Sequence, residues 1–143
     1  MIKESDIIFL CVKPNMLTMI ADGIGKDYNL KANEKLFISI LAGVNITALL
    51  SAFSFIKDMK IVRTMPNTPM QVGEGCSVYS PSGNVSPDDV AKVDMMLSSI
   101  GTAHKIPESL IDAVTGISGC GPAFVCTFYR GIRPCDGRVL EFN

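Results

Sequence analysis

Three short apolar segments, each followed by a stretch with helical spacing or a turn, organise the first half of the chain. They occupy residues 6–12, 35–43 and 59–65, and most of their side chains are hydrophobic. Continuous apolar runs of this length are typical of strands covered on both faces of a parallel sheet. The helical stripes between them comprise Met16, Met19, Ile20 and Ile24, then Ile46, Leu49, Leu50 and Phe53. This order predicts an α/β fold: a doubly wound, mostly parallel sheet with helices on both faces.

The next part of the chain has a short predicted strand at residues 76–80 and a well-marked helix start. Ser86 is an N-cap residue, Pro87 supplies the φ of the first helical position, and Asp89 would complete a capping box. The buried face is expected to hold Val90, Val93, Leu97 and Ile100, with Gly101 ending the helix. These features stabilise a fold and indicate no chemistry.

The composition allows one ordinary hydrophobic core and excludes several function classes. The chain has 143 residues and a formal net charge of −1, and its Lys and Arg residues are scattered, so we expect no nucleic-acid partner. Five cysteines without a C-x-x-C pair, and a single histidine, predict reduced thiols and no metal site. The apolar runs are too short to cross a bilayer. We therefore expect a soluble, cytoplasmic protein without a membrane partner.

Unusual residues follow each of the three predicted strands. Lys13-Pro14 ends the first, Ala42-Gly43 the second, and Pro66-Asn67-Thr68-Pro69 the third. Each has an ordinary explanation: a strand stop, a tight turn, and an Asx turn, the last about as plausible as a ligand contact. Carboxyl ends of parallel strands share one rim, and that rim is where open α/β sheets bind ligands. Together the three sites favour a binding crevice.

The phosphate-binding signal of nucleotide domains is not found in this sequence. No G-x-G-x-x-G follows an early strand. Residues 116–124, GISGCGPAF, contain Gly119 and Gly121, but Pro122 follows at once. We interpret this segment as a glycine-rich hinge leading into a helix, with a backbone anion site as the weaker alternative.

Several of these segments together resemble the pyrroline-5-carboxylate reductase family. They are DIIFLCVKP at 6–14, LAGV at 41–44, VRTMPNTP at 62–69, GEG at 73–75 and LIDAVTGISGCGPAF at 110–124. The resemblance covers roughly residues 4–128. It implies NADPH- or NADH-dependent reduction of 1-pyrroline-5-carboxylate to L-proline. It also implies that Val12, Lys13, Pro14, Ala42 and Gly43 line the cofactor cleft, with Asn67 near the nicotinamide.

No side chain of the chain is assigned a catalytic role. His104 is interpreted as a surface strand residue, Glu74 as an exposed loop carboxylate, and Asp112 as a helix-start cap. Cys120 stands where the family commonly has serine, and nothing in the sequence marks it as a nucleophile.

The resemblance begins in the middle of the family's Rossmann domain and ends early. We therefore expect residues 1–118 to be the later part of a dinucleotide-binding domain, and 119–143 a hinge and the start of a helical dimerisation domain. Pyrophosphate anchoring would be weakened, and the interface of the family's homo-oligomer would be largely missing. The divergent residues after Arg130 suggest an altered reading frame or retained intron, which transcript sequencing would test.

Two other interpretations stay open from the sequence. One is a non-catalytic interaction protein that keeps the reductase domain shape and pairs with a full-length subunit. The other is a structural remnant without a ligand, whose sheet would expose a long edge strand.

Overall fold

Five strands form one mixed sheet in the computed structural model, which describes residues 4–25 and 35–131. The strands are β1 Ile7–Leu10, β2 Leu36–Ser39, β3 Lys60–Met65, β4 Gly75–Pro81 and β5 Gly101–Lys105. They lie in the order β1-β2-β3-β4-β5. Neighbours pair in parallel except β3 and β4, which are antiparallel. The predicted α/β, mostly parallel sheet is confirmed.

The helices alternate with the strands in the order that the apolar pattern predicted. They are α1 Leu17–Gly25, α2 Ile46–Ala52, α3 Pro87–Ser98, α4 Ile111–Val114 and α5 Gly121–Gly131. Three 3₁₀ turns occupy Pro14–Met16, Thr68–Val72 and Glu108–Leu110, and a π-helical segment occupies Thr115–Gly119. The strands are shorter than the apolar runs, because residues 11–12 and 40–43 already belong to the turns that follow β1 and β2.

Two hydrophobic cores lie on opposite faces of the sheet, because successive side chains along each strand point to opposite faces. Phe37 and Ile61 pack with α1 and α2 residues such as Leu49. Ile38 and Val62 pack with α3 on the other face. Helices therefore cover both faces, which explains why all four residues of β2 are buried.

The start of α3 follows the local sequence signals closely, whereas its end does not. Ser86 Oγ accepts the N–H of Asp89 at 3.1 Å, and Pro87 is the first helical residue. The carboxylate of Asp89, expected to complete a capping box, instead accepts from the ammonium groups of Lys60 and Lys92. The helix ends at Ser98, and Gly101 begins β5.

Gly101 has a structural role that its neighbours in sequence do not reveal. Its φ is +142°, and a Cβ placed there would collide with the backbone of Gly75 on the adjacent strand. Only a glycine allows β4 and β5 to approach so closely.

The glycine-rich segment is helical at every residue except Cys120, and its predicted role as a hinge stays a prediction. The π-helical segment Thr115–Gly119 follows α4 directly, and only Cys120 separates it from α5. The Cys120 N–H donates to the Thr115 carbonyl at 3.0 Å, the five-residue spacing of a π turn. The predicted domain boundary at residues 118 and 119 thus falls within helical structure and stays a prediction. The tail from residue 132 onward, with Pro134 and Gly137, lies outside the described residues.

Candidate functional site

The three turns predicted to share a rim do lie at the same end of the sheet, where β1, β2 and β3 have their carboxyl ends. Strands β1, β2 and β3 are parallel neighbours, so their carboxyl ends meet at the same side. Lys13-Pro14, Ala42-Gly43 and Pro66-Asn67 follow those ends in that order. The residues of the first two turns are exposed, and Val12 is half-buried against the first hydrophobic core. This rim, residues 12–14, 42–43 and 66–67, is the candidate functional site.

The turn after β2 requires a glycine for conformational reasons. Gly43 has φ +72°, in the left-handed region, while a Cβ built there meets no atom within 4 Å. The turn is held by the Leu41 N–H, which donates to Ser39 Oγ at 3.3 Å. At its other end Asn45 caps α2, its Oδ1 accepting the Ala48 N–H at 2.8 Å. The turn is thus held at both ends and has open space beside Gly43.

Asn67 connects three parts of the chain through its side-chain amide. Its Oδ1 accepts the Cys76 N–H at 2.9 Å, and its Nδ2 donates to the Ser118 carbonyl at 3.2 Å. The side chain makes no hydrogen bond to the 3₁₀ turn that follows it, so it is not the Asx turn considered as an alternative. An amide has two donors and two acceptor lone pairs, which leaves Asn67 one of each for a ligand.

Sequence reasoning missed Arg63, a buried charge near the end of β3. Its side chain is 3% exposed, and its two terminal nitrogens reach Glu108 at 3.5 Å and Asp112 at 2.5 Å. Asp112 makes no capping hydrogen bond, so its interpretation as a helix-start cap was wrong. An arginine directly after Ile61 and Val62 in a predicted buried strand was the available signal, since buried charges need partners.

Glu108 links this ion pair to the second turn of the rim. Its Oε1 accepts the backbone N–H of Ile46, the first residue of α2, at 2.6 Å. The residues joined are 62 positions apart in sequence. Through Glu108 and Ser118, the helical segment after β5 is therefore attached to both β2–α2 and β3–β4.

Most residues of the helical segment Glu108–Gly131 are exposed or half-buried, and Ile111 is fully buried. Phe124, Val125, Phe128 and Tyr129 of α5 are each more than half exposed. By length and composition alone these 24 residues would suffice to cross a membrane, whereas the length of the apolar runs in the sequence predicted no such segment. One helix that passes on those grounds does not indicate a membrane protein.

The other residues considered from sequence lie exposed and bring no further chemistry to the rim. His104 lies in β5 as expected, while Glu74 and Cys120 are exposed. The two displaced pKa values belong to contacts of α3. Burial and the Asp94 carboxylate raise the pKa of Tyr79 to about 12, and Lys60 lowers that of Asp89 to about 2. A cavity of about 750 Å³ lies toward the amino-terminal end of β3, away from the rim.

The curated relatives of the chain are pyrroline-5-carboxylate reductases. That of Methanosarcina acetivorans is 39% identical over 140 residues, covering 98% of this chain and 49% of the relative. Pyrroline-5-carboxylate reductase 2 of Homo sapiens is 38% identical over 124 residues, which are 86% of this chain and 38% of that relative. The chain thus spans half or less of the length of these relatives. No protein-family model matches it.

The solved structures lead to the same family. Pyrroline carboxylate reductase of Plasmodium falciparum, solved with NADP bound, superposes with a TM-score of 0.82 at 38% identity. The match covers 91% of this chain and 47% of that one. The sequence identity over nearly the whole chain and the superposition of its fold agree, and the chain belongs to the pyrroline-5-carboxylate reductase family.

Proposed function

We propose that the chain provides part of the cofactor-binding domain of an oxidoreductase that reduces 1-pyrroline-5-carboxylate to L-proline with NADPH or NADH. The observation that carries this proposal is the hydrogen bond from Asn67 to the Ser118 carbonyl. It joins the MPNTP segment to the TGISGCGPA segment, 51 residues apart. The two motifs that characterise the family thus form one structure beside the rim.

The residues of the rim suit a dinucleotide. Val12, Lys13 and Pro14 would hold it on one side, and Ala42 and Gly43 on the other, where two exposed residues border the open space beside Gly43. Asn67 would use its remaining donor or acceptor. When bound, the reduced nicotinamide supplies the hydride. These turns contribute orientation, which accounts for much of the rate of a reaction between two bound partners.

No side chain of the rim is assigned a proton-transfer role. The carboxylates of Glu108 and Asp112 are both paired with the buried guanidinium of Arg63. The proposal for this chain is therefore one of binding and positioning, without an acid or base.

The proposed partners follow from the family and from the charge. They are a small-molecule imine substrate and other copies of the reductase subunit in a homo-oligomer. The net charge of −1 favours neither nucleic acid nor an anionic membrane. We place the protein in the cytoplasm.

A second candidate function is a non-catalytic interaction protein. The observation that favours it is α5, in which no residue is buried and Phe128 is 66% exposed. Exposed aromatic residues on one helix are typical of a surface that contacts another protein.

The decisive experiment mixes the purified chain with NADPH and 1-pyrroline-5-carboxylate and follows the absorbance of the reduced nicotinamide. NADPH binding is measured in parallel by calorimetry. Turnover supports the reductase, and binding without turnover supports a cofactor-binding domain. Absence of both contradicts the proposal and favours the interaction protein.

A further inference from the structure

We infer that Glu108 is a positioning residue for the cofactor-binding turn at residues 42–45. The inference rests on the proposed function, because it concerns how the second turn of the rim is held. Glu108 itself lies in the 3₁₀ turn Glu108–Leu110 after β5. It would act through the backbone of α2 and touch no ligand.

The turn is tied down at both of its ends. On the strand side, Leu41 N–H donates to Ser39 Oγ, and both residues are buried. On the helix side, the Ile46 N–H donates to Glu108 Oε1 at 2.6 Å. Between these two anchors lie Ala42 and Gly43, which are both exposed, and Gly43 has the left-handed conformation described above.

The bond to Ile46 is difficult to replace. The first N–H groups of a helix have no partner within the helix. Ile46 is only 9% exposed, so its N–H has little access to water if the carboxylate is removed. An unsatisfied buried donor is costly, and the chain relieves that cost by moving the helix start, and with it the turn.

Arg63 fixes the carboxylate in the position that serves Ile46. Its guanidinium is 3% exposed and lies 3.5 Å from the same Oε1. Glu108 is 31% exposed, whereas Asp112, the other partner of Arg63, is 69% exposed and makes no contact with α2 among the hydrogen bonds of the described residues. The two carboxylates thus share the arginine, and only Glu108 connects it to the rim.

The test compares Glu108→Ala, Glu108→Gln and Asp112→Ala in the full chain. Glutamine keeps a side-chain oxygen that accepts the Ile46 N–H, and Asp112→Ala removes a carboxylate from Arg63 without changing that bond. Hydrogen exchange by mass spectrometry reports on residues 42–49, and calorimetry gives the dissociation constant for NADPH.

We expect Glu108→Ala to speed exchange in residues 42–49 and to raise the dissociation constant for NADPH about tenfold, the effect of losing one well-placed hydrogen bond. Glu108→Gln should stay close to the wild type in both the exchange rate and the dissociation constant. Asp112→Ala should change neither the exchange rate in residues 42–49 nor the dissociation constant. Equal effects of the two alanine variants would overturn the inference, because they would trace to the ion pair alone. If the wild type binds NADPH and Glu108→Ala binds it as tightly, the inference fails while the proposed function stands. If the wild type does not bind NADPH, the proposed function fails, and the inference with it.

Discussion

Replacing Asp89 by asparagine should remove a pH-dependent part of the stability of the fold. Its carboxylate accepts from Lys60 Nζ at 3.0 Å and from Lys92 Nζ at 3.1 Å, and the Asp89 side chain is only 13% exposed. Lys60, the largest contributor, together with Ser86 and Lys92 lowers the pKa of this carboxyl from 3.8 to about 2, against the opposing effect of burial. The contact joins the start of β3 to the first turn of α3.

The magnitude follows from the displaced pKa. The pKa of Asp89 is lower in the folded protein than in the unfolded chain. Its contribution to stability is therefore complete at pH values above the unfolded pKa and is lost as the pH falls through the folded pKa. At about 1.4 kcal/mol per pKa unit, Asp89 stabilises the fold by about 2 kcal/mol at neutral pH. About half of this remains near pH 3.

Urea denaturation at neutral pH and near pH 3 measures this difference. Asp89→Asn should lower the free energy of unfolding by about 2 kcal/mol at neutral pH and by about 1 kcal/mol near pH 3. Asp88→Asn is the matched control, since Asp88 is an exposed carboxylate in the same helical turn. A loss for Asp89→Asn that does not change with pH, or that equals the loss for Asp88→Asn, would refute the reasoning.

Three further substitutions test other parts of the structure. Gly101→Ala should destabilise the fold by about 3 kcal/mol in urea denaturation, because the new Cβ meets the Gly75 backbone and the φ of residue 101 is +142°. Gly23→Ala is the control: it lies in open space on α1 and should be neutral or stabilising. Similar losses for the two variants would contradict this account. Arg63→Ala should lower the free energy of unfolding by about 3 kcal/mol, because it leaves two carboxylates without their cation, and Arg63→Lys should lower it by less. An unchanged free energy of unfolding for Arg63→Ala would show that the ion pair is unimportant. Tyr79 has a folded pKa of about 12 against 10, so the wild type should lose stability as the pH rises from 10 towards 12, and Tyr79→Phe should lose less over that range. Identical pH profiles for wild type and Tyr79→Phe would contradict the last prediction.

Local signals predicted much of the fold because they act over a few residues. Ser86 and Pro87 place the start of α3 at the residue where it is found. The apolar run around Phe37 and Ile38 marks a strand buried on both faces, and the two cores confirm it. The position of the three turns on one rim follows from parallel pairing, which a βαβ order predicts without any contact being known.

The remaining features depend on contacts between residues distant in sequence. The antiparallel direction of β4 and the approach of Gly101 to Gly75 arise between neighbouring strands. The two hydrogen bonds of Asn67 span 9 and 51 residues, so no local rule distinguished them from an Asx turn or a free ligand contact. Arg63 was the exception, because its place after Ile61 and Val62 in a predicted buried strand was a usable signal of a buried charge.

Calorimetric titration of NADPH into the chain, into Gly43→Ala and into Gly73→Ala tests the central claim most directly. Both glycines have positive φ, +72° and +79°, and both face open space, so alanine introduces the same backbone strain at each. Only Gly43 lies on the rim proposed to hold the cofactor. The account predicts saturable binding to the unmodified chain and to Gly73→Ala, and markedly weaker binding to Gly43→Ala. Absence of saturable binding to the unmodified chain, or equal affinities for the two variants, would contradict it.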